Sequence, residues 1–230
     1  MGSGLNRNNC NAVKTPSQTR KIRPTRLSVS GIFSFRGQHS IPYESTLERD
    51  FLVRAEFNGG VTKIISQPAK IPFVSRNGRT YNYTPDFLVY YQNGTRPLLV
   101  EVKPRGEIRA HWGDMKYKFK AALRYARERG WNFRVHDESR IRDQVFQNIL
   151  SLQRYKRMQF PAEVTQQILS DLKESGRSSF QALMNRHFRA AAEGGIGDSH
   201  LRHLLVKGQV ACDMSLPLGN ETILWIPNHG

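Results

Sequence analysis

The sequence predicts an α/β fold, a mixed sheet flanked by helices, followed by a small helical domain that closes on a two-stranded hairpin. Three observations predict it. Between Tyr43 and Ser139, short β-branched and aromatic runs are bracketed by two stretches of helical periodicity. From about residue 140 the pattern becomes almost wholly helical. The first 42 residues follow neither pattern, contain no Asp or Glu, and scatter Arg7, Lys14, Arg20, Lys21, Arg23, Arg26 and Arg36 among small polar residues. The expected organisation is a basic extended arm over 1–42, an α/β domain over 43–139 and a helical domain over 140–230.

In chain order, YESTLERDFLVRAEFNG sets Leu47, Phe51 and Ala55 four residues apart with Leu52 beside them, an amphipathic helix ended by Asn58-Gly59-Gly60. VTKIISQP is the first core strand. AKIPFVSRNGRTYNYTPDFLVYYQNGTRPLLVEVKP then holds several strands with Asn-Gly at 77–78 and 93–94, both hairpin signals. GDMKYKFKAALRYARERGW reads as a helix with Met115, Phe119, Ala122, Leu123 and Ala126 inward, stopped by Gly130. WNFRVHDES supplies one more strand, and Trp112 and Trp131 are expected to be packing residues. Beyond it come helices in IRDQVFQNILSLQRYKR, PAEVTQQILSDLKES with Pro161 at its start, SSFQALMNRHFRAAAEGG and DSHLRHLLVKG. QVACDM and ETILWI, joined by SLPLGN, form the closing hairpin. Helices ending in such a hairpin resemble a winged-helix domain, a fold that binds DNA or protein; a plain helical bundle is the alternative.

The 230 residues carry 35 Lys and Arg against 19 Asp and Glu, a formal charge of +16, and the pI is about 10.3. That excess is the footprint of a polyanion-binding protein, nucleic acid being the expected partner. No apolar run is long enough to span a bilayer and MGSGLNRNNC lacks the apolar segment of a signal peptide, so a cytoplasmic protein without membrane partners is expected. Two distant cysteines, Cys10 and Cys212, form no disulfide framework or zinc knuckle. His200 and His203 have ligand-like spacing but no third ligand nearby, and are expected to be solvated basic residues.

The charges at the strand ends are the chemical feature. A two-residue turn centred on Asn93-Gly94 pairs residues whose numbers sum to 187, setting Asp86 opposite Glu101. Strand alternation then puts Asp86, Leu88 and Tyr90 on one face with Leu99, Glu101 and Lys103, and Phe87, Val89, Leu98, Val100 and Val102 on the other. Like charges directly opposite in a sheet destabilise it by up to ~1 kcal/mol, so the pair calls for a compensating cation. Lys103 supplies one charge and a hard divalent ion would supply the rest, in the manner of a phosphodiester-hydrolysing site. A solvated rim with a surface ion pair is the bland alternative. Pro97, inside the second strand, argues for an edge or a longer loop.

These residues carry a family resemblance. Pro85-Asp86 followed by Glu101-Val102-Lys103 is similar to the PD-(D/E)xK nuclease motif, and ESTLERDF, TPDFLV and VEVKP, in that order, resemble the TnsA endonuclease subunit of heteromeric TnsABC transposases. The resemblance runs from about Tyr43 to Lys103. It implies a restriction-endonuclease-like fold and a metal-dependent DNA endonuclease that cuts one strand at transposon 5′ ends. It also implies Mg²⁺ as cofactor, with Mn²⁺ able to substitute, and as partners a DDE transposase (TnsB), an AAA+ regulator (TnsC) and, in some systems, a CRISPR-guided targeting complex. A bacterial cytoplasmic protein, at the nucleoid when active, follows from the same resemblance. By position, Asp86 is implied as the principal metal ligand, Glu101 as the second acid, Glu48 as the helix carboxylate and Lys103 as the catalytic lysine. Glu44 competes with Glu48, and Ser45-x-x-Glu48 also fits a capping box that would only close the helix. Lys70, Arg76, Arg79, Arg105, Arg109, His111, Lys116, Lys118 and Lys120 surround the motif, and Arg105, Arg109, His111, Lys116 and Lys120 are candidate phosphate contacts. The rival functions are a stand-alone restriction- or resolvase-type nuclease and a non-catalytic winged-helix DNA-binding protein.

Overall fold

A computed structural model describes residues 16–19, 29–188 and 194–227. Most of the basic arm, from Arg7 to Arg26 and including Cys10, lies outside these residues. The arm ends earlier than expected: β1 (Gly31–Phe35) and β2 (His39–Tyr43) form an antiparallel hairpin. Arg36 and Gly37 both take positive φ at its turn, and Phe35 and Ile41 are buried in the first core. Alternating apolar residues, Ile32 aside, here outweigh the polar composition that suggested an extended chain.

The sheet has the order β3 (Val61–Ser66), β6 (Phe87–Tyr91), β7 (Leu98–Val102), β8 (Asn132–His136), with β7 and β8 parallel and the other pairs antiparallel. Phe87↔Val100, Leu88↔Leu99 and Val89↔Leu98 give the register expected from Asn93-Gly94. Those two residues have φ of 59° and 68°, the left-handed pair that a type I′ turn requires. The loop is longer than two residues because Pro97 cannot donate a ladder bond, and Tyr90 and Tyr91 pair only with β3. β4 (Ile71–Val74) and β5 (Thr80–Tyr83) make a separate hairpin around Asn77-Gly78.

The two sheet faces bury two helices. On one, α1 (Thr46–Phe57) sets Leu47, Phe51, Leu52 and Ala55 against Phe87, Val89, Val100 and Val102, with the Phe51 and Phe87 rings stacked at 5.3 Å. A buried ring of this kind contributes roughly 3 kcal/mol, so Phe87→Ala would be among the most damaging single changes in this layer. On the other, α2 (Arg105–Glu128) packs Ala121, Ala122 and Ala126 against Leu88 and Leu99, and the β4–β5 hairpin lies along it. This helix starts eight residues before the expected Gly113. Pro104 stands at its N-cap, and a kink at His111 (φ −117°, ψ 20°) separates an initial turn from the periodic stretch. Leu123, expected inward, is exposed, as is Trp112; Ala121 takes the inward position, and Trp131 packs as expected.

After α3 (Glu138–Ile141), whose Ile141 is buried in the first core, the helical domain sets α4 (Gln144–Leu152), α5 (Ala162–Ser175), α6 (Phe180–His187) and α7 (Gly194–Val206) around Leu152, Ile168, Leu172, Leu183 and Leu201. The closing hairpin is rearranged. β10 (Ile223–Trp225) pairs with β9 (Arg177–Ser179), and QVACDM contributes only the bridge Ala211↔Trp225. His200 and His203 are packed rather than solvated: the His200 ring stacks on Phe160 at 4.4 Å and meets the Thr165 hydroxyl at 2.8 Å, and His203 Nδ1 meets the Tyr155 carbonyl at 2.8 Å. Burial and the nearby His203 push the His200 pKa down to about 4. Burial likewise raises the Cys212 thiol to about 11. Among the described residues no helix is long and apolar enough to cross a membrane.

Candidate active site

Four elements converge where β6 begins and β7 ends. Asp86 follows Pro85, which holds its predecessor in extended backbone, and its Oδ2 accepts a bond from the Val102 N–H at 2.7 Å. Glu101, on the α2 face of β7, is 3% exposed. Glu48 comes from the first turn of α1 and Lys103 from the residue after β7.

Electrostatics ties the acids together. Burial, then the charges of Glu101 and Glu48, push the Asp86 carboxyl well above its ordinary range, against the opposing pull of the Val102 N–H and Lys103. The Glu48 carboxyl is raised by burial first; bonds from the Glu44 N–H and Ser45 oppose this, and Glu44 and Glu101 add to it. The Glu101 charge thus helps to raise both Asp86 and Glu48, the mark of a region short of positive charge.

The capping box expected at Ser45 and Glu48 forms. Glu48 Oε2 accepts from the Glu44 N–H at 2.8 Å, its Oε1 accepts from the Ser45 hydroxyl at 2.9 Å, and the Ser45 Oγ accepts from the Glu48 N–H at 3.1 Å, the reciprocal bonding of a capping box. The cap thus fixes a carboxylate whose charge reaches Asp86.

Glu101 has partners outside the motif. The Tyr83 hydroxyl donates to Oε2 at 2.6 Å and the Lys118 ammonium to Oε1 at 3.0 Å, while Lys118 also lies over the Tyr83 ring at 4.8 Å. The cation bonded to Glu101 is therefore Lys118 and not the expected Lys103, which pairs with Glu107 at 3.1 Å. For Lys103, burial lowers the pKa, but Glu107, Glu101 and Asp86 together leave it raised, so it carries an ammonium at neutral pH. Tyr83 has no motif to signal it. Lys118 had one, since it lies three residues from Met115 and four from Ala122 and so borders the inward face of α2.

The candidate phosphate contacts spread along α2. Arg105 is engaged with Asp137 at 3.1 Å and its N–H with Glu138 at 2.8 Å. Arg109, His111 and Lys120 are exposed, and Lys116 is half-buried over Tyr117. His111 and Lys118 line a cleft of about 820 Å³ together with Phe73, Arg76 and Tyr81 of the β4–β5 hairpin.

Among the described residues, no three His, Cys, Asp or Glu side chains are arranged as a ready metal cluster. Mg²⁺ needs only one or two carboxylates, with water and phosphate oxygens completing its shell. The raised Asp86 carboxyl, short of compensating charge, fits such an ion.

A mixed sheet with a helix on each face, carrying an Asp at one strand entry and Glu-x-Lys at the end of its neighbour, defines a nuclease of restriction-endonuclease-like architecture. Residues 58–138 match the family described as TnsA-like endonuclease N terminal, and residues 140–214 match TnsA endonuclease C terminal. The chain belongs to the TnsA-like endonucleases. No individual curated protein matches it.

Proposed function

We propose that this chain is the metal-dependent nuclease subunit of a transposase, hydrolysing one DNA strand at the transposon 5′ ends. The observation that carries the reading is that, in a chain of the TnsA-like family, Asp86 stands at the entry of β6, bonded to the Val102 N–H, against Glu101 and Lys103 at the end of β7. Asp86 would be the principal ligand of a Mg²⁺ or Mn²⁺ ion, with Glu101 and Glu48 as the further acids of the site. Bound there, the ion would neutralise charge on the scissile phosphate and lower the pKa of an attacking water. Lys103, fully protonated, stabilises negative charge on the phosphate oxygens and is not a proton acceptor. The Ser45–Glu48 cap holds the helix carboxylate in place, and Tyr83 with Lys118 holds Glu101. The exposed cations of α2 and the positive charge of the whole chain position the DNA backbone.

The family match supports work alongside other transposition proteins. In this reading the partners are a DDE transposase of the TnsB kind, which cuts and joins the other strand, and an AAA+ regulator of the TnsC kind, with a CRISPR-guided complex choosing targets in some systems.

The test is Mg²⁺-dependent nicking of a transposon-end duplex, labelled on each strand in turn, with and without the transposase partner. We expect 5′-end nicking that requires the partner and is lost in Asp86→Ala and Lys103→Ala, while DNA binding persists. Nicking by the chain alone would instead indicate a stand-alone nuclease. Unchanged nicking in both variants would overturn the catalytic assignment.

A further inference from the structure

Gln67, directly after β3, combines features that the nuclease motif does not use. Its side chain belongs to a residue only 5% exposed, and its Oε1 is buried with no hydrogen-bond partner, the one such side-chain atom among the described residues. Its φ is +50°, a left-handed conformation that costs energy in a residue with a Cβ. Its backbone also adjoins that of Asp86, the principal acid of the motif. The β3–β6 register ends at Ser66↔Phe87, so Gln67 and Asp86 are the next pair, and the Gln67 N–H donates to the Asp86 carbonyl at 2.7 Å. From the other side the Gln67 carbonyl accepts from the Thr19 N–H at 3.0 Å and hydroxyl at 2.9 Å, which fixes the turn.

A buried acceptor without a donor is destabilising, and strained backbone persists only where its surroundings impose it. Glu101, in contrast, has both oxygens engaged, by Tyr83 and Lys118. Gln67 Oε1 is unengaged, on a residue whose main chain bonds that of Asp86. Hard divalent cations accept amide carbonyl oxygens alongside carboxylates, and a neutral donor adds no charge to a site already rich in acids.

We propose that Gln67 is a metal-site residue whose side-chain oxygen is a neutral donor to the divalent cation held by Asp86. The assignment rests on the nuclease reading for the cation and on the geometry of Gln67 for the ligand. Gln67→Met keeps the length of the side chain and removes the acceptor, and metal affinity separates the two roles: a merely structural glutamine leaves it unchanged and a ligand glutamine lowers it. For a ligand, the metal-free protein melts at the same or a higher temperature, because an unsatisfied buried acceptor is gone, while Mn²⁺ affinity falls about 10–100-fold.

The experiment is calorimetric titration of the full chain with Mn²⁺ at pH 8, with thermal melts of the metal-free proteins, for wild type, Gln67→Met, Gln67→Asn, Gln67→Glu and Asp86→Ala. Expected are weakened Mn²⁺ binding in Gln67→Met and Gln67→Asn and binding at or above the wild-type level in Gln67→Glu. Wild-type affinity in Gln67→Met and Gln67→Asn, with binding lost in Asp86→Ala, would overturn the Gln67 assignment alone. Should Gln67→Met fail to fold, Gln67→Asn, which keeps an amide one methylene shorter, decides by its affinity. Wild-type affinity in Asp86→Ala would overturn the site reading itself, and a wild-type protein that binds no Mn²⁺ would overturn both.

Discussion

Asp86 is a carboxylate that its surroundings disfavour as an anion: burial and the Glu101 and Glu48 charges raise its pKa, so the folded chain holds a proton there more tightly than the unfolded chain does. The stability contributed by that group is present below the unfolded value, about 3.9, and is lost as pH rises through the raised one. In EDTA, Asp86→Asn should therefore melt above wild type at pH 7.5, by about 2–4 °C for each kcal/mol of recovered stability. The advantage should shrink towards pH 5 and reverse when Mn²⁺ is added, since only wild type gains the ion. A variant less stable than wild type at pH 7.5 in EDTA would mean that Asp86 is already compensated. Lys103 has the opposite character, an ammonium held charged by Glu107 and the site acids against the effect of its burial. Lys103→Met should lower nicking about 10²–10³-fold, the scale for losing one charge-stabilising donor, with Lys103→Arg between the two in the strand-labelled assay. At this scale the motif residues were legible because a β-strand alternates strictly, so Asp86, Glu101 and Lys103 could be assigned to one face from their numbers. Tyr83 and Gln67 were not, because a site residue that acts through a single side-chain oxygen has no spacing to betray it.

The element that joins stability to chemistry is the first turn of α1. Ser45 caps the helix and bonds the carboxylate of Glu48, so Ser45→Ala should cost about 1 kcal/mol in denaturant unfolding and should also lower nicking, since Glu48 loses a tether. A variant destabilised to that extent but fully active would reduce Glu48 to a capping residue. The α1 stripe, the β6–β7 register and the Gly130 stop of α2 could be read directly, because each rests on local periodicity or on a turn that admits few residue types. The start of α2 could not: Pro104, Gly106 and Gly113 look like loop residues, yet Pro104 stands at the N-cap of a kinked, exposed first turn tied by Arg105 to Asp137 and Glu138. The closing hairpin failed for a non-local reason. Trp225 finds its ladder partner in Arg177, almost fifty positions away, and no turn signal at SLPLGN reports that choice.

Across the whole molecule the two domains are joined through the outer face of α1. Arg54 pairs with Asp143, Asp50 with Arg142 at 2.8 Å and with Arg49 at 2.9 Å, and Glu56 with Lys156 at 2.9 Å. Asp50 is the buried member, and Asp50→Asn should cost about 1.5–3 kcal/mol, seen as a lower urea midpoint. Beyond Glu56, a cleft of about 1070 Å³ crosses the domain boundary and gathers Arg36, Arg154, Lys156, Arg157 and Lys207 against that single acid. Five cations in one groove repel one another unless a polyanion lies there. Arg157→Glu with Lys207→Glu should weaken duplex binding and flatten the plot of log affinity against log salt by about 0.9 for each phosphate no longer neutralised; an unchanged slope would place the DNA elsewhere. The charge excess was plain in the composition, but its concentration at the boundary depends on how the domains meet. The central claim remains that Asp86, with its neighbouring acids, holds one divalent cation against a scissile phosphate. The most direct measurement is anomalous scattering from Mn²⁺-soaked crystals of the full chain: a manganese peak within ligand distance of the Asp86 carboxylate is predicted, and a peak bound only elsewhere would contradict it.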